Sequence, residues 1–171
     1  FSGNSNTWTV NNISLTTGST YDSMNDVPTL TNATAANYAV MNPLNKASLV
    51  TVTEGNLTLS PSSASWGAIS GTVAVTSGKW YYEYSASISS PLALCGWATT
   101  DEDVNTTYGS AVTKQWGMIF NSGNKYGNGS NAVAYASAVS ANTVVGVALD
   151  MDTGTLTFYI GGVSQGTAFS T

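Results

Sequence analysis

The ionisable side chains of this 171-residue sequence are few: nine Asp and Glu, four Lys, one Cys and nine Tyr, with no His. Without histidine, neither a Ser-His-Asp nor a Cys-His nucleophilic system can be assembled. Zinc likewise loses its commonest ligand. The single cysteine, Cys95, lies in the apolar run Leu92-Ala93-Leu94-Cys95-Gly96-Trp97. It cannot form an internal disulfide, and that setting suits a small buried hydrophobe better than a thiolate nucleophile.

The carboxylates offer three chemistries. Asp101-Glu102-Asp103 is the only acidic cluster, and calcium takes several carboxylate and carbonyl oxygens. Three adjacent residues rarely aim at one ion, however, and no D-x-[DN]-x-[DN]-G pattern follows. The cluster is therefore read as a solvated loop, and neither a metal nor any other cofactor is expected. Asp150 and Asp152 flank a turn, where Asp typically bonds neighbouring backbone N–H groups. Glu83 could be one half of a glycoside-cleaving pair, but that chemistry needs two carboxyls about 5 to 10 Å apart. Glu83 is followed by Tyr84, Ser85 and Ala86, with no second acid. The sequence is read as non-catalytic.

Binding groups are more abundant. Of the five Trp (8, 66, 80, 97 and 116), Trp80 and Trp97 lie in strand candidates. Trp66 lies in the polar stretch Pro61 to Gly67 and is the Trp most readily expected at the surface. The expected contact residues are Trp66 with Asp101, Glu102 and Asp103. Tyr108, Asn124, Tyr126 and Asn128, in polar loops, complete the set.

Charged residues make up only 8% of the sequence, against roughly a quarter in an ordinary domain. The polar surface must be built from Ser, Thr, Asn and Gly, which suits a secreted, cell-surface or virion protein. The net charge is −5, and Lys46, Lys79, Lys114 and Lys125 are scattered. Nucleic-acid binding needs clustered cations and is excluded as an expectation, as is binding to an anionic membrane surface. No apolar run of 18 residues is present to cross a bilayer as a helix. Asn12, Asn32, Asn56, Asn105 and Asn128 begin N-x-[ST] sequons, which carry meaning only in a eukaryotic secreted protein. The first residue is Phe1, not Met, so a processed chain or a piece of a longer one is expected.

The elements that must position these groups are strands. Apolar residues alternate or come in short runs broken every 8 to 12 residues or so by Gly, Asn, Ser or Pro, which predicts an all-β sandwich or barrel. In Lys79 to Ser87, Trp80, Tyr82, Tyr84 and Ala86 face one way; Tyr81, Glu83, Ser85 and Ser87 face the other. Thr143–Asp150 and Thr155–Ile160 form a hairpin around Met151-Asp152-Thr153-Gly154, with Leu156, Phe158 and Ile160 toward the core. A strand over Val163 to Phe169 follows Gly161-Gly162. Weaker strands are expected at Thr7–Val10, Tyr38–Met41, Ser48–Val52, Asn56–Ser60, Thr72–Thr76, Leu92–Thr99, Trp116–Phe120 and Ala132–Tyr135. Loops are expected at Thr17–Ala36, Thr100–Lys114 and Asn121–Asn131. The chain is read as one domain over 1–171, with N-terminal strands and a long loop over 1–45 and the sandwich body over 46–171.

Four segments resemble the SPRY domain family. Gly78-Lys79-Trp80-Tyr81-Tyr82-Glu83-Tyr84 is similar to its G-x-x-Y-W-E-V strand, and Gly96-Trp97-Ala98-Thr99 to the G-W-A strand that follows. Val145 to Gly162 is similar to the V-G-x-x-x-D-x-D-x-G-x-x-x-F-x-x-N-G hairpin, and Gly166-Thr167-Ala168-Phe169 to the closing G-x-A-F. The four occur in family order over roughly 78–171, and the resemblance implies core positions for Trp80 and Trp97. The resemblance implies a concanavalin-like sandwich of two antiparallel sheets that binds other proteins through loops at one end, with no catalytic residues to transfer. Glycosidases on such folds place two acids on one strand, a pattern this chain lacks.

The segment Tyr21 to Leu44 resembles one that precedes SPRY modules in tailed-bacteriophage structural proteins, with Asp26, Pro28, Thr29, Asn37, Tyr38, Asn42, Pro43 and Leu44 fitting and Met41 in place of Leu. That resemblance implies a virion location and a tail-fibre, receptor-binding or capsid-decoration role. Partners would be other virion proteins or a host surface molecule, protein or glycan. A carbohydrate-binding lectin-like module and a glycan-cleaving enzyme are the alternatives. A homo-oligomer, such as a trimer, would have to use sheet faces or edges, because no heptad stretch exists.

Overall fold

Antiparallel pairing accounts for every regular element seen. The computed structural model describes residues 39–62, 66–87, 93–105, 113–127 and 129–170. Within them are eleven strands and no helix. They are β1 (Met41–Lys46), β2 (Val50–Thr53), β3 (Thr58–Pro61), β4 (Ile69–Gly71), β5 (Lys79–Ser85), β6 (Leu94–Ala98), β7 (Gln115–Ile119), β8 (Lys125–Gly127), β9 (Val144–Asp150), β10 (Thr155–Ile160) and β11 (Val163–Ser170). These strands belong to a compact unit that runs Val40–Thr171.

The largest sheet has the order β11-β10-β9-β5, and a three-stranded sheet has the order β6-β7-β8. Two further ladders, β1-β4 and β2-β3, have two strands each. The two larger sheets face each other across one core. Met118 and Phe120, from β7 and the residue after it, meet Val145 and Val147 of β9 and Phe158 of β10; all five are fully buried. Burying each such side chain contributes about 1.5 to 3 kcal/mol. Edge-to-face ring pairs join the layers, Tyr82 to Trp97 with centroids 5.9 Å apart and Tyr84 to Phe120 at 5.6 Å.

The alternation in β5 is as expected: Trp80, Tyr82 and Tyr84 are half-buried while Lys79, Tyr81, Glu83 and Ser85 are exposed. The β9–β10 hairpin closes through Met151–Gly154 in continuous register from Thr155↔Asp150 to Ile160↔Val145. β11 departs from regular pairing, with two register shifts against β10. Gly166, at φ +80°, lies in this irregular stretch, and only glycine adopts that conformation without cost.

Side chains from outside the sheet engage β11, and the Tyr135 hydroxyl, which also accepts from the Phe158 N–H of β10 at 3.3 Å, sits between the two strands. The Lys125 ammonium donates to the Ala168 carbonyl at 2.5 Å and the Tyr135 hydroxyl to the Gly166 carbonyl at 2.6 Å. The same ammonium lies 5.3 Å from the Phe169 ring centroid and 5.9 Å from that of Tyr135.

Several expected boundaries are corrected. The strand expected at Tyr38–Met41 begins at Met41 and continues to Lys46, and its pairing with β4 is irregular between those residues. Pro43, inside it, has no N–H to give the ladder. Thr72–Thr76 is irregular, with β4 ending at Gly71. Ala132–Tyr135 contributes one isolated bridge, Val133 to Lys125. The loop expected over Asn121–Asn131 contains β8. The strand expected at Thr7–Val10 and the loop at Thr17–Ala36 lie outside the described residues.

Candidate binding surfaces

At one end of the three-stranded sheet, β6 leads into Thr99–Asn105 and β7 begins after Lys114. The three adjacent carboxylates there point to three different partners. Asp101 accepts from the Thr99 hydroxyl at 2.6 Å and from the Lys114 ammonium, which forms an ion pair with it. The Lys114 contact, then the Thr99 hydroxyl, holds the Asp101 carboxyl down at about 2. Glu102 accepts from the Gln115 amide at 3.2 Å. Asp103 accepts from the Asn105 backbone and side-chain amides at 2.9 and 3.1 Å, folding its own turn. Adjacent residues cannot easily converge, and these do not: among the described residues no group of three His, Cys, Asp or Glu could hold a metal ion.

Residues 66–68 join this end, because the Ala68 N–H donates to the Val104 carbonyl at 3.2 Å. Trp66 is half-buried there. Four of the expected contact residues, Trp66 and Asp101 to Asp103, therefore lie on two neighbouring segments.

The β9–β10 turn lies toward the same end, since Tyr82 is set against Trp97 and Tyr84 against Phe120 further along. Asp150 Oδ1 accepts from the Asp152 and Thr153 backbone amides at 3.0 and 3.1 Å, as expected of a turn carboxylate. Its Oδ2 pairs with Lys79 at 2.5 Å. That lysine, above all, lowers the Asp150 carboxyl to about 2. Asp152 accepts from the Gly78 N–H at 2.9 Å, and the Met151 N–H donates to the Gly78 carbonyl at 2.9 Å. The hairpin is thus clasped to the start of β5.

The other expected contact residues are placed differently. Asn124 lies in the β7–β8 turn, half-buried, at the far end of β7 from Lys114. Five residues of strand separate the two ends by roughly 15 Å. Tyr126, expected in a polar loop, is corrected to a core position: it belongs to β8 and is 3% exposed. Tyr108 and Asn128 lie outside the described residues. Trp97 borders the core as expected, and Cys95 is buried, with burial pushing its thiol far above the usual range.

The outer face of the four-stranded sheet carries a surface that sequence reasoning missed. Tyr81, 56% exposed, donates its hydroxyl to Glu83 Oε1 at 2.9 Å and meets Tyr159 edge-on with centroids 6.3 Å apart. The Tyr81 ring covers Gly146, where a Cβ would lie 2.2 Å from the phenolic oxygen. A shallow depression of about 350 Å³ adjoins these rings. The signal available in the sequence was Gly146 itself, since a glycine inside a strand often marks a close approach.

Comparison with known proteins agrees with this architecture. The SPRY domain pattern matches residues 79–171. The crystal structure of the SPRY domain of human HERC1 superposes with a TM-score of 0.58 at 22% identity, covering 76% of this chain and 80% of that one. At that identity the likeness concerns the fold.

Proposed function

The chain belongs to the SPRY domain family, and from that premise we propose that it is a non-catalytic binding module whose partner docks on the loop end carrying 66–68, Thr99–Asn105 and the β9–β10 turn. One observation carries the reading: these loops are held before any partner arrives. Lys114 pairs with Asp101, Lys79 pairs with Asp150, and the turns are closed by their own side chains. Loops fixed in advance lose less conformational entropy on binding. Among the described residues no pair of carboxylates is set across a groove there; Asp101, Glu102, Asp103, Asp150 and Asp152 each have a partner within their own loop or across the adjoining turn.

The finer reading is a phage virion protein: a tail-fibre, receptor-binding or capsid-decoration module contacting other virion proteins or a host surface molecule. Its support is the Tyr21–Leu44 segment and a surface with little charge. Cryo-electron microscopy of the particle encoding this chain tests it. Density for the sandwich at a fibre tip supports receptor binding, and density tiled on the capsid supports decoration. Mass spectrometry of purified particles lacking the chain would overturn the virion reading while leaving the binding-module reading intact.

A further inference from the structure

The solvent side of the four-stranded sheet has its smallest residues in the middle. Gly146 of β9 pairs with Glu83 of β5 on one side and Tyr159 of β10 on the other; Ala148 pairs with Tyr81 and Thr157; Asp150 pairs with Lys79 and Thr155. The Tyr81 ring covers Gly146, and beyond it Ala148 of the central strand forms the floor of a trough. Larger side chains of β5 and β10 wall it, and the Lys79–Asp150 ion pair closes one end. The depression of about 350 Å³ occupies this trough.

We propose that the trough is a subsite for a neutral pyranose sugar that adjoins the β9–β10 turn through the Lys79–Asp150 pair and uses neither 66–68 nor Thr99–Asn105. A pyranose presents C–H groups on its faces and hydroxyls around its rim. The C–H groups pack on the electron-rich face of a tyrosine ring, and two nearly perpendicular rings, 80° apart, supply a face and a wall. The rim hydroxyls need acceptors and two-way partners. The hydroxyl-bearing Thr157 and Tyr159 line the depression, and Glu83 stands behind the Tyr81 hydroxyl that it accepts from. The Tyr81–Glu83 bond fixes the ring before a ligand arrives.

Charge argues against other occupants. The one cation at the trough, Lys79, is committed to Asp150, Glu83 adds a negative charge, and the chain carries −5 overall. Phosphate- or carboxylate-bearing ligands are therefore repelled. An extended peptide gains most from a free strand edge, and the trough runs along β9, which is paired on both sides.

The test is an NMR titration of the full labelled chain with methyl glycosides of glucose, galactose, mannose and N-acetylglucosamine. A saturable shift of the Tyr81 and Tyr159 ring signals and the Ala148 methyl is expected with at least one. Tyr81→Ala weakens it roughly tenfold. Gly146→Ala removes no ligand-facing group but displaces the Tyr81 ring, so it also weakens binding. Unchanged core signals of Phe120 and Phe158 show that each variant is folded. No saturable shift with any glycoside overturns the proposal, as does a shift confined to Thr99–Asn105, one insensitive to Tyr81→Ala, or tighter binding of glucuronate than of glucoside. None of these results bears on partner binding at the loop end, which does not use Tyr81.

Discussion

The phenolic hydroxyl of Tyr82 donates to the backbone carbonyl of Gly96 across 2.6 Å, so a side chain of one sheet is hydrogen-bonded to the main chain of the sheet facing it. Burial raises the Tyr82 phenol far above its ordinary 10, so it remains a donor at neutral pH. Gly96 itself faces Gly117, and a Cβ on it would stand 1.9 Å from the Trp116 carbonyl oxygen. Tyr82→Phe is expected to cost about 1 to 2 kcal/mol, because the carbonyl loses its donor while packing is kept. Gly96→Ala is expected to cost about 3 kcal/mol or more, because backbone must move. Urea denaturation measures both as a lowered midpoint.

Acid sensitivity follows from the two surface ion pairs. Asp101 and Asp150 titrate in the folded chain at about 2, below their ordinary 3.8. A depressed carboxyl stabilises the fold fully above its unfolded value and loses that contribution as pH falls through its folded one. The urea midpoint should therefore drop between about pH 4 and pH 2. In Lys114→Ala the drop should be smaller, and the Asp101 carboxyl carbon should inflect closer to 3.8 in an NMR titration. Lys79 and Lys114 are raised above 10.5, so their share persists to that pH and is lost only above it.

Calcium should leave the 101–103 loop unchanged. Each carboxylate there is turned to its own donor, and gathering them would break the Thr99, Gln115 and Asn105 bonds. Millimolar calcium should not shift the Asn105 amide, and a chelator should not change the melting temperature. A calcium-dependent rise in melting temperature accompanied by a shift at Asn105 would contradict this.

Lys125→Met should destabilise by about 1 to 3 kcal/mol in urea denaturation, since the Ala168 carbonyl loses a charged donor and two aromatic rings lose a cation. The methionine keeps the stem, which isolates the ammonium's share from that of its packing.

The β9–β10 hairpin was legible because alternation over Val144–Ile160 and an Asp/Gly turn point to one structure. β5 was legible for the same reason, down to which face Tyr81 and Glu83 take. β8 was not: Lys125-Tyr126-Gly127 is three residues between Asn/Gly stretches, too short for alternation to mark Tyr126 as buried. The strand expected at Ala132–Tyr135 failed conversely, because Tyr135 has a strand-like pattern but spends its hydroxyl on β11. At the candidate site, the Asp103 turn and the Asp150 cap are local and could be read directly. The Asp101–Lys114 and Lys79–Asp150 pairs join residues 13 and 71 apart in the sequence, and only the fold brings them together.

Growth of a β-sheet resembles polymerisation: each exposed margin is a reactive end to which another strand can add. On β11 the Ala168 carbonyl is already held by the Lys125 ammonium, and the Tyr135 hydroxyl, donating to Gly166 and accepting from the Phe158 N–H of β10, fills the irregular stretch between the two strands. A strand adding at Ala168 would first have to displace an ammonium, and beside Gly166 it would meet a stretch out of regular register. Among the described residues, a margin so irregular and partly engaged is a poor template for a neighbouring strand.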